Sequence, residues 1–197
     1  MQGNVGPDLR EGGGGLRGKG LKDLFSMQEG EASFLEELRG EVGDQEPEVC
    51  FQCMRCTSGC DAFRFRPSFR PHQLVGFARL GLRERMVGTE VIWSCTTCHY
   101  CREVCPQRVA PVEVVKAARR VAVREGRTVE GHRRIAGYLV QTGHLVPVND
   151  TVRGQRERLG LPGNPPTTHA FPGALEEVRR LVGRTGFARL LGVERDG

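Results

Sequence analysis

Eight cysteines fall into two runs of four that share one spacing. Cys50, Cys53 and Cys56 are each separated by two residues, and Cys60 follows after three more. Cys95, Cys98, Cys101 and Cys105 repeat the pattern, with Pro106 directly after. Three cysteines at this spacing wrap one [4Fe–4S] cubane with a tight loop. The longer last step turns the fourth cysteine onto the start of the next helix, aimed away from its own loop, so that it ligates the other cluster. The spacing therefore predicts one cluster on Cys50, Cys53, Cys56 and Cys105, and a second on Cys95, Cys98, Cys101 and Cys60. Structural zinc draws two ligand pairs across a longer spacer and leaves the third cysteine of each run without a role. Disulfides do not suit neighbours on one loop in a reducing compartment. A [3Fe–4S] centre goes with a lost ligand, and neither run has lost one.

The residues around the runs suit such a site. Thr57, Ser58, Gly59, Thr96 and Thr97 are small and let backbone N–H groups approach the sulfurs, which raises a cluster's reduction potential. Ile92 and Trp93 precede Cys95 and either shield the second cluster from water or pack as ordinary core. His99 is not needed as a ligand, because four thiolates already fill each site. Arg55, Arg102 and Arg108 flank the loops, where they offset cluster charge or form a solvated surface. The sequence has no Gly-rich phosphate loop, no dinucleotide fingerprint and no nucleophile–base constellation. Every cysteine is already used, so the expected chemistry is the passage of single electrons, with no catalytic residue.

The elements that position the cysteines read as helices. The apolar spacing predicts a short helix over Ala32–Arg39, with Phe34, Leu35 and Leu38 on one face, ended by Gly40 and Gly43. Pro67 and Pro71 punctuate a loop, and Pro71 suits the first turn of a helix over His72–Met86. Pro111 opens another, through about Glu125, with Val114, Val115, Ala118, Val121 and Ala122 as its apolar stripe and Gly126 after it. A further helix is expected over Val129–Thr142. Residues 143–173, rich in Gly and Pro, read as irregular, and a last helix is expected over Ala174–Val182. No alternating strand pattern is present, so the fold class is all-α. The expected organisation is a flexible Gly-rich tail over 1–22, a cluster-binding domain over 23–142 and an extension over 143–197.

Composition bounds the function. Hydrophobic residues make up 38% and aromatic residues 6% of the 197 positions, a lean supply for a self-sufficient core, which an inorganic centre or partner protein would supplement. The net charge of +5 is mild and the arginines are scattered, with no basic stripe or stacking aromatics, so nucleic-acid binding is not expected. No apolar stretch is long enough to cross a bilayer, and membrane association is expected only through partners. Met1-Gln2-Gly3-Asn4 carries neither a basic nor an apolar signal region, so a cytoplasmic location is expected.

The chain resembles the C subunit of heterodisulfide reductase, a family of α-helical ferredoxins, over roughly residues 32–190. The resemblance rests on the two cysteine motifs, the Arg66-Pro67 and Arg70-Pro71 region with the helix up to Gly81, and the Trp93-Ser94-Cys95 lead-in. The segments Thr142–Asp150 and Pro165–His169 are also similar. Family members often carry Pro after the fourth cysteine of the first run, where this chain has Asp61. The resemblance implies an electron relay with two heterodisulfide-reductase-like partners. On one side stands the flavin-containing A subunit, on the other the catalytic B subunit, which reduces a disulfide. In methanogens that disulfide joins coenzyme M and coenzyme B, and related complexes serve sulfur oxidation. The cysteine motifs are shared with the iron–sulfur subunits of succinate and glycolate dehydrogenases. Those would bring a [2Fe–2S] domain or downstream cysteine-rich domains, which this sequence lacks.

Overall fold

The structure, a computed structural model, describes residues 31–43, 46–190 and 192. The tail expected over 1–22 lies outside them. As expected, the fold is all-α, with no strand among the described residues. Helix α1 (Ala32–Val42) runs past the expected Arg39 and buries Phe34 and Leu38 completely. The first cysteine run contributes the short helix α2 (Arg55–Ser58), and α3 (Asp61–Phe65) follows Cys60.

The helix expected over His72–Met86 is instead two, α4 (Pro71–Arg79) and α5 (Arg83–Val87). The cause is Gly81, whose φ of 66° is left-handed. The Leu82 N–H turns back onto the Phe77 carbonyl at 2.9 Å, which closes α4 with a Schellman cap. A Cβ at this position would lie 2.4 Å from the Glu31 carbonyl oxygen, so only glycine fits against α1.

The second cysteine run contributes α6 (Tyr100–Glu103), and α7 (Pro111–Arg124) follows. Proline at the first position of both α4 and α7 suits a turn whose N–H groups have no helical partner. Helix α7 is the centre of the molecule. Val114, Val115, Ala117, Ala118, Val121 and Ala122 are all at most 1% exposed, and they pack against α4 and α1. Fully burying a Val, Leu or Phe side chain contributes about 1.5–3 kcal/mol, so this one face accounts for much of the domain's stability. Arginines tie the rim together. Arg120 and Arg124 of α7 reach Glu41 of α1, each at 2.5 Å, and Arg83 bonds Glu31, Glu37 and Glu125.

Helix α8 (Glu130–Thr142) follows as expected. The segment 143–173, expected to be irregular, contains α9 (Asp150–Arg158). Asn149 caps it by accepting the Val152 N–H on Oδ1 at 2.9 Å, a cap that the Gly and Pro content obscures. The last expected helix is longer, α10 (Pro172–Arg184), and is followed by α11 (Phe187–Leu190). Arg179 of α10 donates to the Gln141 carbonyl at 2.9 Å, and Thr168 donates to the Gly143 carbonyl at 2.9 Å, which anchors this region on α8.

Candidate metal centre

The two cysteine loops repeat in three dimensions as they do in sequence. Each begins with a 3₁₀ turn, Pro47–Val49 before Cys50 and Glu90–Ser94 before Cys95. Each then carries two non-glycine residues in the left-handed region, Gln52 and Met54 in the first and Thr97 and His99 in the second, with φ between 54° and 65°. Such conformations cost about 1–3 kcal/mol apiece and persist where the surroundings demand them. Here they curl the chain so that the first two cysteines of each run lie near enough to the third to act on its charge. The third cysteine of each run lies on a one-turn helix, Cys56 on α2 and Cys101 on α6.

None of the eight cysteines is in a disulfide. Cys56 and Cys60 are buried, Cys53 and Cys98 are exposed, and the other four lie between. Cys60 lines a cavity together with Cys95, Cys98 and Cys101 of the second run and Cys56 of its own. Cys105 of the second run, like Cys50 and Cys53, lies near enough to Cys56 to act on its charge. Among the described residues, no three His, Cys, Asp or Glu side chains converge on a point that would hold a single metal ion; Cys56, Cys60, Cys95, Cys98 and Cys101 instead line one cavity.

That space is one a polynuclear cationic centre fits. Burial pushes the Cys56 thiol up to about 11, opposed by the Thr57 hydroxyl, and neighbouring thiols raise it further. Burial pushes Cys101 up to about 12, opposed by the Val112 N–H at the start of α7, and Cys95 is raised for the same reason against the Thr97 N–H and Arg119. Clustered buried thiols resist ionising on their own, and bound metal supplies the positive charge that makes the thiolates stable. Donors to sulfur are already in place. The Thr97 N–H reaches the Cys95 Sγ at 3.4 Å, the Val109 N–H reaches the Cys105 Sγ at 3.4 Å, and the Gln52 amide reaches the Cys50 Sγ at 3.3 Å.

Several contacts at the site are not read from the sequence, although Thr57 and Gly59 are singled out there as small residues beside the sulfurs. Thr57 is 1% exposed, sits 2.7 Å from the His72 Nδ1 and accepts the His72 N–H at 3.2 Å, which fixes α2 to the first turn of α4. Tyr100 lies against Gly59, where a Cβ would be 2.1 Å from its hydroxyl, so the two loops meet closely. Arg79 donates to the Cys50 carbonyl at 2.5 Å, and Arg119 donates to the Cys95 and Ile92 carbonyls at 2.6 and 2.9 Å. The repeat of Pro and Arg at matched positions of α4 and α7 is a readable signal for this pair. Of the residues singled out from the sequence, Ile92 is fully buried, and His99, Arg55, Arg102 and Arg108 are exposed. Trp93 is half-buried, with its ring edge on His132 and Arg119 over its face.

An all-helical domain with two such cysteine loops is an α-helical dicluster ferredoxin, and residues 46–109 match the family model of the 4Fe-4S dicluster domain. Over 159 residues the chain is 41% identical to the C subunit of the H(2):CoB-CoM heterodisulfide,ferredoxin reductase of Methanothermobacter thermautotrophicus, covering 81% of this chain and 85% of the relative. It is 41% identical over 168 residues to the iron-sulfur C subunit of the CoB--CoM heterodisulfide reductase of Methanopyrus kandleri, covering 82% and 87%. It is 33% identical over 183 residues to a protein of Archaeoglobus profundus named as like the heterodisulfide reductase C subunit, covering 87% and 94%. The chain belongs to the family of heterodisulfide reductase C subunits. It is an iron–sulfur electron-transfer subunit whose dicluster domain and eight cysteines fit two [4Fe–4S] clusters. Among the described residues, no helix is long and apolar enough to cross a membrane.

Proposed function

We propose that this chain relays single electrons between two partners in a heterodisulfide-reductase-type complex, one flavin-containing and the other catalytic and disulfide-reducing. The observation that supports the reading is that Cys60 lines a cavity with Cys95, Cys98 and Cys101 as well as Cys56, while Cys105 lies near enough to Cys56 to act on its charge, as Cys50 and Cys53 do. In this reading Cys50, Cys53, Cys56 and Cys105 hold one cluster, and Cys95, Cys98, Cys101 and Cys60 hold the other. Bound [4Fe–4S] clusters supply one-electron oxidation and reduction. The protein's part is to fix their separation, and the close approach of α2 and α6 supports a short one: Cys56 lies near enough to act on the charge of Cys101. The exposure of Cys53 and Cys98 supports outer faces through which two partners exchange electrons.

The domain reading assigns cluster binding to residues 23–142 and partner docking to the extension over 143–197. Support for docking is the apolar exposure of Leu145, Val146, Leu159, Leu161, Phe171 and Leu181 in the extension. The cytoplasm is the expected compartment, because thiolate-ligated clusters of this density suit a reducing environment. The relatives' names specify the CoB-CoM heterodisulfide, and the acceptor proposed for the complex is a disulfide of that mixed type.

The test is reconstitution. The purified, cluster-loaded chain should take electrons from a chemical reductant and reduce no disulfide at a useful rate. Adding the catalytic partner should restore turnover, and adding the flavin-containing partner should let its electron donor replace the chemical reductant. Steady disulfide reduction by the single chain would overturn the assignment.

A further inference from the structure

The same clamp occurs twice. Helices α4 and α7 both begin with proline, at Pro71 and Pro111, and both carry arginine at the same later position, Arg79 and Arg119. Each arginine reaches back to the loop of its own half and holds the carbonyl of that loop's first cysteine, Arg79 that of Cys50 at 2.5 Å and Arg119 that of Cys95 at 2.6 Å. The surroundings of the two guanidinium groups differ. Arg79 is exposed. Arg119 is half-buried, lies over the Trp93 ring with 5.5 Å to its centre, and spends its second donor on the Ile92 carbonyl at 2.9 Å.

We infer that Arg79 and Arg119 are paired positioning residues that each place a fixed positive charge beside one cluster loop, and that the burial of Arg119 makes the two clusters unequal in reduction potential. This rests on the reading that each cysteine run holds one cluster. Reduction adds a negative charge to a cluster, so a neighbouring cation favours the reduced form and raises the potential. Water and salt screen an exposed charge much more than a partly buried one. Arg119 therefore raises the potential of the site at Cys95, Cys98 and Cys101 by more than Arg79 raises that of the site at Cys50, Cys53 and Cys56. A relay with two unequal sites has a preferred direction of electron flow, and the repeated clamp sets it with one pair of side chains.

The test is a potentiometric titration of the cluster-loaded full chain, followed by electron paramagnetic resonance, on wild type, R79Q, R119Q and R119K. Wild type should show two midpoints. R119Q should lower one of them by at least a tenfold change in the one-electron equilibrium, about 59 mV. R79Q should lower the other by less, and R119K, which keeps the charge and loses the forked grip, should stay near wild type. The inference is overturned if neither midpoint moves, if both variants move the same one, or if R119K falls as far as R119Q. Where R119Q does not retain iron, R79Q decides: one midpoint must fall alone, and no shift or equal shifts of both overturn the inference. Failure of the underlying cluster reading would look different, since wild type itself would then lack two iron–sulfur midpoints.

Discussion

A cysteine four places from its neighbours' loop can belong to that loop or to the one opposite, and the choice decides whether the two halves are independent. Under the crossed pairing, Cys60 and Cys105 are staples between halves that also meet where α7 packs on α4 and α1 and where Tyr100 lies against Gly59. Replacing Cys105 with serine should then damage the cluster held by Cys50, Cys53 and Cys56, and replacing Cys60 should damage the one held by Cys95, Cys98 and Cys101. Iron content and electron paramagnetic resonance of the two variants decide it. Loss of the same-run cluster in each would show that the pairing is uncrossed. At this scale the ligand types and spacing are legible in the sequence, because thiolate chemistry at x2 spacing has few uses. The supporting residues are not. Thr57 and His72 are fifteen positions apart and meet only once α4 folds back on α2. The left-handed Gln52, Met54 and Thr97 are residue types with no preference for that conformation.

The helices supply rigidity, and the long ones announce themselves. Helix α7 combines a proline start, an unbroken apolar stripe and a glycine just beyond its end, and its expected bounds are almost those found. The break between α4 and α5 is hidden because the apolar spacing continues across Gly81, while the backbone there answers to the approach of Glu31 from a distant part of the chain. Helix α9 is hidden because its face buries nothing and its start depends on the Asn149 cap. Charge also acts at this scale. Arg124, and then Arg120, hold the Glu41 carboxyl below its ordinary value, docking α1 on α7. A carboxyl whose folded pKa is depressed stabilises the fold above its unfolded value of 4.5 and loses that contribution as the pH falls through its folded value. Because the arginines are partly exposed, the effect is about 1 kcal/mol or less. Hydrogen exchange of α1 amides in the loaded chain should be faster in E41Q than in wild type at pH 7, and the difference should shrink as the pH falls from 4.5 through the lower folded value of Glu41. A difference that persists unchanged at low pH would remove Glu41 as its cause.

Taken whole, the described residues form a small helical frame around the two cysteine loops, and the chain's apolar supply is thin for its length. The frame brings the two loops together through α2 and α6, backs them with α4 and α7, and leaves one thiol of each run exposed. The most direct measurement is iron and acid-labile sulfide per chain in anaerobically purified protein. Two cubanes require about eight of each, from four iron and four sulfide per cluster. Stoichiometric zinc with no sulfide would contradict the account.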